Sequence, residues 1–182
     1  MAGTGVSFIR FFKNGAPIPG ESFHKSYPSK DGWIEIGDFS WDVESEHKHT
    51  GTGLAVGRAK PGNFTFTHNF DRSSPALLQN MIRGTHFDLI ELDMCKVTGD
   101  ETPKCYFRLS GVYFFVTKVS SKGDDGGQIT QDVEGTLKQI QIDYGRQQPN
   151  GQIKDAGVPF IYNFSEQSGV LGLASGTSIR KL

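Results

Sequence analysis

Two histidines separated by one residue, His47 and His49, form the pattern in this sequence with the most direct chemical meaning. On an extended strand such a pair can bind a metal ion, and Glu44 and Glu46 would add carboxylate oxygens. A zinc site uses three or four protein ligands, and no further ligand follows nearby at a plausible spacing. A polar surface segment is therefore the preferred interpretation, and a metal site is the alternative.

Cys95 and Cys105 are the two cysteines of the chain, too few for a zinc ribbon or a disulfide scaffold. They flank the turn-like segment Thr98–Pro103, and a symmetric hairpin there would place the two thiols side by side. Cytosolic proteins rarely hold disulfides, so two reduced thiols are the preferred interpretation. A cross-strand disulfide is the alternative.

Other patterns that would indicate catalysis or ligand binding are incomplete. The glycines of Gly51–Gly57 do not have the spacing of a dinucleotide loop, and no Gly-Lys-Ser/Thr follows them. Asp124, Asp125 and Asp132 lack the order of ligands in a calcium loop, which favours a solvated turn. No Gly-x-Ser-x-Gly elbow places a serine beside a base. The sequence therefore predicts no catalytic residue, no cofactor and no enzyme activity.

The elements that would position these residues are predicted to be mainly β-strands. Short alternating apolar segments recur between Gly, Asn, Asp and Pro, and the chain has 23 Gly and 14 Phe residues. Period-2 spacing places Phe39, Trp41 and Val43 on one face of a strand. Gly111 predicts a bend or bulge in a later strand. The predicted strands lie at 6–8, 33–36, 64–69, 87–97, 105–119 and 137–144.

One short helix is predicted, because Ser74 can cap it, Pro75 suits its first turn, and Gly84 can end it. Four apolar side chains at helical spacing should pack this helix against the β-structure. They are Leu77, Leu78, Met81 and Ile82.

The chain is expected to form one domain over residues 1–167, since it has no evident internal repeat or second domain. Two polar stretches, Glu44–Gly53 and Ser120–Asp132, are predicted to be loops. Residues 168–182 are rich in small residues and are expected to form a flexible tail unless another subunit orders them.

The charge balance excludes partners that depend on a strong electrostatic field. The 19 Lys and Arg residues against 20 Asp and Glu residues give a net charge of -1, so neither nucleic acid nor an anionic membrane is a predicted partner. The first twelve residues lack the features of a secretory signal, and no apolar stretch approaches the ~20 residues of a membrane span. We expect a soluble protein that is made in the cytoplasm.

Several blocks of sequence in a fixed order resemble the Hcp family of type VI secretion inner-tube proteins. The first are Gly20-Glu21-Ser22 and the Trp-Ile-Glu-Ile-x-x-Phe-Ser-Trp run at 33–41. Ser74-Pro75-Ala76-Leu77-Leu78 follows, and the Ile140–Tyr144 strand and Gln147–Gly151 close the series. The resemblance extends over roughly residues 6 to 165, with each block weak alone and their conjunction specific.

This resemblance implies a compact β-barrel of two sheets with one flanking helix, assembled as hexameric rings that stack into a tube. It further implies a sheath, a baseplate and a VgrG spike as partners, effector proteins in the lumen, and expulsion of the tube from the cytoplasm to the outside or into a target cell. The polar segment Glu44–Gly53 matches the family's extended loop that reaches a neighbouring subunit or ring. The candidate contact residues are Glu46, His47, Lys48 and His49, and an ordinary solvated hairpin is the alternative.

Three other functions stay open at the level of the sequence. A phage-like major tail tube protein would share the barrel and the rings. A monomeric β-barrel could bind a small apolar ligand among its Phe and Ile side chains. An enzyme, or a fused toxin activity, is less compatible, because the residues after the resemblance are too few for a domain of ~50 residues.

Overall fold

A computed structural model describes residues 5–50, 53–97, 102–150, 152–173 and 178–182, with the backbone alone described at 47–50, 53–56 and 155–156. Strands dominate, which confirms the predicted mainly β class. The elements in chain order are β1 Gly5–Lys13, β2 Ala16–Pro17, a 3-10 turn Ser29–Asp31, β3 Ile34–Ser40, β4 Val43–Thr50, β5 Gly53–Pro61, β6 Phe64–Asn69, α1 Ser74–Arg83, β7 Phe87–Val97, β8 Pro103–Gly123, β9 Ile129–Gln147, β10 Ile153–Ala156 and β11 Phe160–Asn163.

Six antiparallel strands close into a barrel in the order β9-β6-β3-β1-β7-β8, because β8 pairs back onto β9. The two longest strands, β8 and β9, pair along most of their length. The other edge of β9 is shared by β6, β11 and β10, each pairing with a different part of it. Strands β4 and β5 form a separate two-stranded sheet. The predicted barrel with one flanking helix is thus confirmed.

The barrel interior is filled by aromatic and branched side chains that alternate along the strands. Phe64, Phe66 and His68 are all buried, as the predicted alternation of β6 requires. The ring of Phe11 lies 5.7 Å from that of Phe66 and 5.9 Å from that of Phe114, centroid to centroid. His68 Nε2 lies 2.9 Å from Gln131 Oε1, and burial lowers the pKa of His68. The interior is therefore a packed core rather than a lumen.

A glycine in β9 makes room for one of these rings. A Cβ built on Gly135 would lie 2.3 Å from a ring carbon of Phe114 and 2.4 Å from the backbone oxygen of Phe115. Both distances are far below van der Waals contact, and the oxygen belongs to the paired strand β8. Gly135 is therefore required by close packing between β8 and β9.

The predicted helix is present as α1, with one shift at its start. Ser73 rather than Ser74 is the N-cap residue, and Gly84 ends the helix in the left-handed conformation, with φ 62°. Leu77 is buried in the core, whereas the Ile82 side chain is 80% exposed. The prediction that all four apolar side chains pack inward is therefore wrong for Ile82, because the face that contacts the barrel is narrower than the helical stripe.

The structure corrects both predicted loops. Residues 44–50 form most of β4 rather than a loop, and residues 120–123 and 129–132 extend β8 and β9. Between them a short turn remains, in which Asp124 Oδ1 accepts a hydrogen bond of 2.9 Å from the Gln128 backbone N–H. Polar composition predicts loops poorly here, because strands outside a core need no apolar alternation.

Two other details of the β-structure also differ from the predictions. Residues Trp41 and Asp42 separate β3 from β4, so Phe39, Trp41 and Val43 do not share one strand face. The register through Gly111 is regular, and the shift in the β8–β9 pairing falls between Val116 and Lys118. A Cβ on Gly111 would lie 2.4 Å from Leu137, so this glycine serves close packing instead of a bulge.

Within the described residues, no helix has the length and apolar character to cross a membrane.

Replacing Gly135 by Ala should destabilise the fold by about 1–3 kcal/mol, the usual range for overpacking a close-packed site. Gly157→Ala is the matched control, because a Cβ there would have no atom within 4 Å. That variant should change the free energy of unfolding by less than about 0.5 kcal/mol. Urea denaturation of the two variants measures the difference, and equal stabilities would contradict the assigned packing.

Candidate assembly surfaces

The two-stranded sheet formed by β4 and β5, called here the β4–β5 hairpin, stands apart from the closed barrel. Its base is closed by a hydrogen bond of 2.8 Å from the Gly62 N–H to the Asp42 carbonyl. Among the described strands, β4 and β5 pair with each other alone, so each has one edge without a strand partner. Such edges are able to pair with another chain.

Glu46 is the one predicted contact residue whose side chain the structure describes. Its Oε1 atom lies 2.7 Å from Lys60 Nζ on β5, with both side chains well exposed. The hydrogen bond and the charge of Lys60 lower the pKa of Glu46. An exposed pair of this kind adds little stability, so it leaves both groups available to a partner.

His47, Lys48 and His49 lie on β4, with backbone partners at Val56, Ala55 and Leu54 of β5. Their side chains lie outside the described residues. The predicted contact role of these three residues, and the metal site that His47 and His49 would form, therefore stay predictions.

A second surface carries charged side chains that are buried on the outer face of the barrel. Glu91 and Asp93 alternate along β7 and are 1% and 0% exposed. Arg10 Nη2 lies 2.6 Å from Glu91 Oε2. Arg108 contacts both oxygens of Asp93, at 2.6 and 2.7 Å. Paired guanidinium groups of this geometry are what allow two carboxylates to be buried.

The pKa values around Asp93 follow from burial and charge. Burial by itself would lower the pKa of Arg108, but the hydrogen bonds and negative charge of Asp93 outweigh it, and the pKa is raised. Burial, followed by the charge of Asp93, raises the pKa of Tyr27. Tyr27 is therefore a neutral phenol, and its hydroxyl donates to Asp93 Oδ2 over 3.1 Å.

The C-terminal segment covers this charged surface. Arg180 Nε lies 3.1 Å from Glu91 Oε2, and its Nη2 lies 3.2 Å from Asp93 Oδ2. The guanidinium carbon is 5.1 Å from the ring centroid of Trp33, and Arg108 donates to the Lys181 carbonyl over 2.7 Å. The segment is thus held at its end by charge-assisted hydrogen bonds, while the flexibility expected for residues 168–182 stays a prediction.

Sequence reasoning missed this charged surface. Its signal was the pair of acids, Glu91 and Asp93, in the otherwise apolar run Leu-Ile-Glu-Leu-Asp at 89–93. Acids on one face of a strand that is apolar on the other require buried cations nearby. Which arginines supply them depends on strand pairing and on the path of the C-terminal segment.

A third surface is apolar and lies at one end of the barrel. The Phe23 side chain is 94% exposed beside a cleft of 610 Å³ that is also lined by Phe70, Glu21 and Asp71. Phe70 is 43% exposed, and its N–H donates to the Ile129 carbonyl over 2.7 Å. Exposed aromatic side chains rimmed by acids are typical of protein contact sites.

Comparisons with known proteins add a family and a fold. Residues 8–148 match the model of a family described as type VI secretion system effector, Hcp. Protein hcp1 of Pseudomonas aeruginosa is 28% identical over 109 residues, or 59% of this chain. The matched region spans 65% of that relative's length.

Solved structures superpose on nearly the whole chain. One described as a type six secretion system protein has a TM-score of 0.78 at 21% identity and covers 91% of this chain and 99% of its own. Hcp1 from Salmonella typhimurium has a TM-score of 0.67 at 23% identity, with coverages of 92% and 98%. At these identities the likeness establishes the fold.

Replacing Arg180 by Ala should release the C-terminal segment while the barrel stays folded, because Glu91 and Asp93 keep their bonds to Arg10 and Arg108. Carboxypeptidase digestion followed by intact mass should then remove the last residues several times faster than from the unaltered protein. Lys181→Ala removes the same charge from an exposed side chain and should have little effect. Equal digestion of the two variants would show that Arg180 does not hold the segment.

Proposed function

Because the chain belongs to the Hcp family of type VI secretion proteins, we propose that it is a structural tube subunit that closes into hexameric rings. The family is one of structural tube proteins, and no enzyme activity is proposed for this chain. The observation that carries the proposal is a hairpin outside the closed barrel, with two edges that no other described strand pairs with.

The geometry of a ring explains why such a hairpin is useful. Cyclic assembly joins two different surfaces of each subunit, so every subunit must present a donor surface and an acceptor surface. A closed barrel leaves few strand edges for this purpose. The β4–β5 hairpin supplies a donor, with Glu46 and Lys60 exposed on it to make polar contacts.

The exposed aromatic end supports contact with a further protein. Phe23 is almost fully exposed although it is a large apolar side chain, and covering it would remove apolar surface from water. Stacking of one ring on the next would cover a surface at the end of each barrel. We propose this end as a stacking contact.

The remaining partners follow from the family. We propose that stacked rings form the inner tube of the apparatus, with a contractile sheath around it, a baseplate below it and a VgrG spike at its tip. Contraction of the sheath would expel the tube from the cytoplasm to the outside or into a target cell. The interior of each barrel is filled by side chains such as Phe11, Phe66 and Phe114. Effector proteins would therefore travel in the central lumen of the ring and not inside a barrel.

That filled interior also weighs against a monomeric carrier of small apolar ligands. A carrier barrel keeps an internal cavity, whereas here the aromatic rings contact one another across the barrel. A phage-like tail tube protein would share the fold, and the family match favours the secretion apparatus.

Light scattering on a sizing column should give a mass near that of six subunits, and negative-stain images of the same peak should show open rings. Ring closure buries the hairpin against a neighbour, so the assembly should persist on dilution to the micromolar range. A folded monomer at high protein concentration would contradict the tube function and favour a monomeric binding protein.

Replacing His47 and His49 together by Asp should weaken the ring, because two added negative charges at an interface are desolvated or repelled. The circular dichroism spectrum and the melting of the barrel should stay unchanged. Ser120→Asp with Gln128→Asp is the control, since it adds the same charge at exposed positions near the β8–β9 turn. Unchanged ring mass in the histidine variant would remove these positions from the interface.

A further inference from the structure

Cys95 on β7 and Cys105 on β8 are direct partners in the antiparallel ladder, just beyond the register shift that follows Met94. We propose that these two residues are a modification site, at which a reversible disulfide crosslinks β7 to β8 within one chain. Their Cα atoms, as ladder partners, are separated by about 4.5–5.5 Å. A disulfide accepts Cα separations of ~4.4–6.8 Å, so ladder partners lie within its range.

The two side chains belong to one packed cluster. Side chains of ladder partners lie on the same face of the sheet, and Cys105 packs against the buried cluster of Phe8, Tyr27, Trp33 and Cys95. The Tyr27 hydroxyl lies 3.1 Å from Cys95 Sγ, and Arg108 Nη2 lies 3.9 Å from Cys105 Sγ. The interaction with Cys105 lowers the pKa of Cys95, which favours Cys95 as the thiolate that resolves a mixed disulfide on Cys105.

The two thiols differ in solvent exposure, and this difference determines which of them reacts first with an oxidant. Cys95 is 1% exposed, whereas Cys105 is partly exposed. The hydrogen bond to Cys95 and burial raise the pKa of Cys105, so this accessible thiol reacts as the first thiolate after it loses its proton to the solvent. The buried Cys95 then acts as the resolving thiol.

The oxidant we name is a small-molecule disulfide, such as oxidised glutathione. The Cys105 thiolate attacks one sulfur of that disulfide, its S–S bond breaks, and one glutathione thiolate leaves and takes up a proton. The Cys95 thiolate then attacks Cys105 Sγ and displaces the second glutathione as a thiol. Two cysteine thiols are oxidised to one disulfide, and one glutathione disulfide is reduced to two thiols.

The two cysteines are less suited to binding a metal ion than to forming a disulfide. Zinc requires three or four ligands, and the described part of the chain contains no group of three His, Cys, Asp or Glu side chains arranged to hold a metal ion. Asp93, the nearest acid, is already bound by Arg108, Arg180 and Tyr27. Two thiols on paired positions, without a third ligand, are better suited to a disulfide.

A consequence of the crosslink rests on the proposed function. A tube subunit passes from a reducing cytoplasm to an exterior where disulfides persist. The pair would then stay open during synthesis and assembly and close after expulsion. The crosslink itself is tested on the purified chain, so a failed ring assay and a failed oxidation assay are separate results.

The full-length protein is incubated with oxidised glutathione under native conditions, quenched with acid, denatured, and treated with N-ethylmaleimide before intact-mass analysis. We expect no maleimide label and a mass about 2 Da below that of the reduced protein, from loss of two hydrogens. A peptide map should join Cys95 to Cys105, and dithiothreitol should restore two labels. The oxidised chain should also melt at a higher temperature, because the crosslink constrains the unfolded chain.

Two single variants test the order of reaction. Cys95→Ser leaves the accessible thiol without its resolving partner, so it should accumulate a glutathione adduct on Cys105. Cys105→Ser leaves the buried thiol alone and should react much more slowly. Two maleimide labels on the oxidant-treated wild-type protein, a stable glutathione adduct on it, or a crosslink between chains would each overturn the proposal, whether or not the variants fold.

Discussion

Pairing between β8 and β9 converts a curved sheet into a closed barrel, and this closure limits everything that can lie inside or outside it. The interior has a fixed width, so it is filled by rings that meet edge to face, as Phe64 meets Phe114 at 5.9 Å. Gly111 and Gly135 are needed where large side chains of neighbouring strands cross the backbone closely. Closure also leaves few free strand edges on the barrel, so the proposed ring would depend on elements outside it, foremost the β4–β5 hairpin.

On the outer face of β7, the barrel buries two acidic side chains and pairs each of them with an arginine. Glu91 and Asp93 are buried, and each is bonded by a guanidinium group from a neighbouring strand, Arg10 of β1 or Arg108 of β8. Arg180 then adds a third cation that bridges both acids from the C-terminal segment. Arg10 and Arg108 bond the two acids without help from the C-terminal segment. We therefore expect the barrel to stay folded when that segment detaches.

The proposed redox site lies beside this charged face. Tyr27 connects the two, since its hydroxyl contacts both Asp93 and Cys95. Oxidation would link β7 and β8 at the end of their ladder, next to the acid that anchors the C-terminal segment. A long β7–β8 ladder, a covered acidic surface and an exposed hairpin together suit the tube subunit that we propose, which would assemble in the cell and then be expelled.

The sequence by itself determined the features that depend on near neighbours in the chain. The alternation of 64–68 defined a half-buried strand, Gly84 ended the helix, and the ordered motif blocks indicated the family. Only the tertiary structure decided that polar residues 44–50 form a strand, because a strand outside the core carries no apolar alternation. It alone brought Arg180 to Glu91, 89 positions away, since the path of the C-terminal segment across the barrel, not a local pattern, sets an ion pair of that separation.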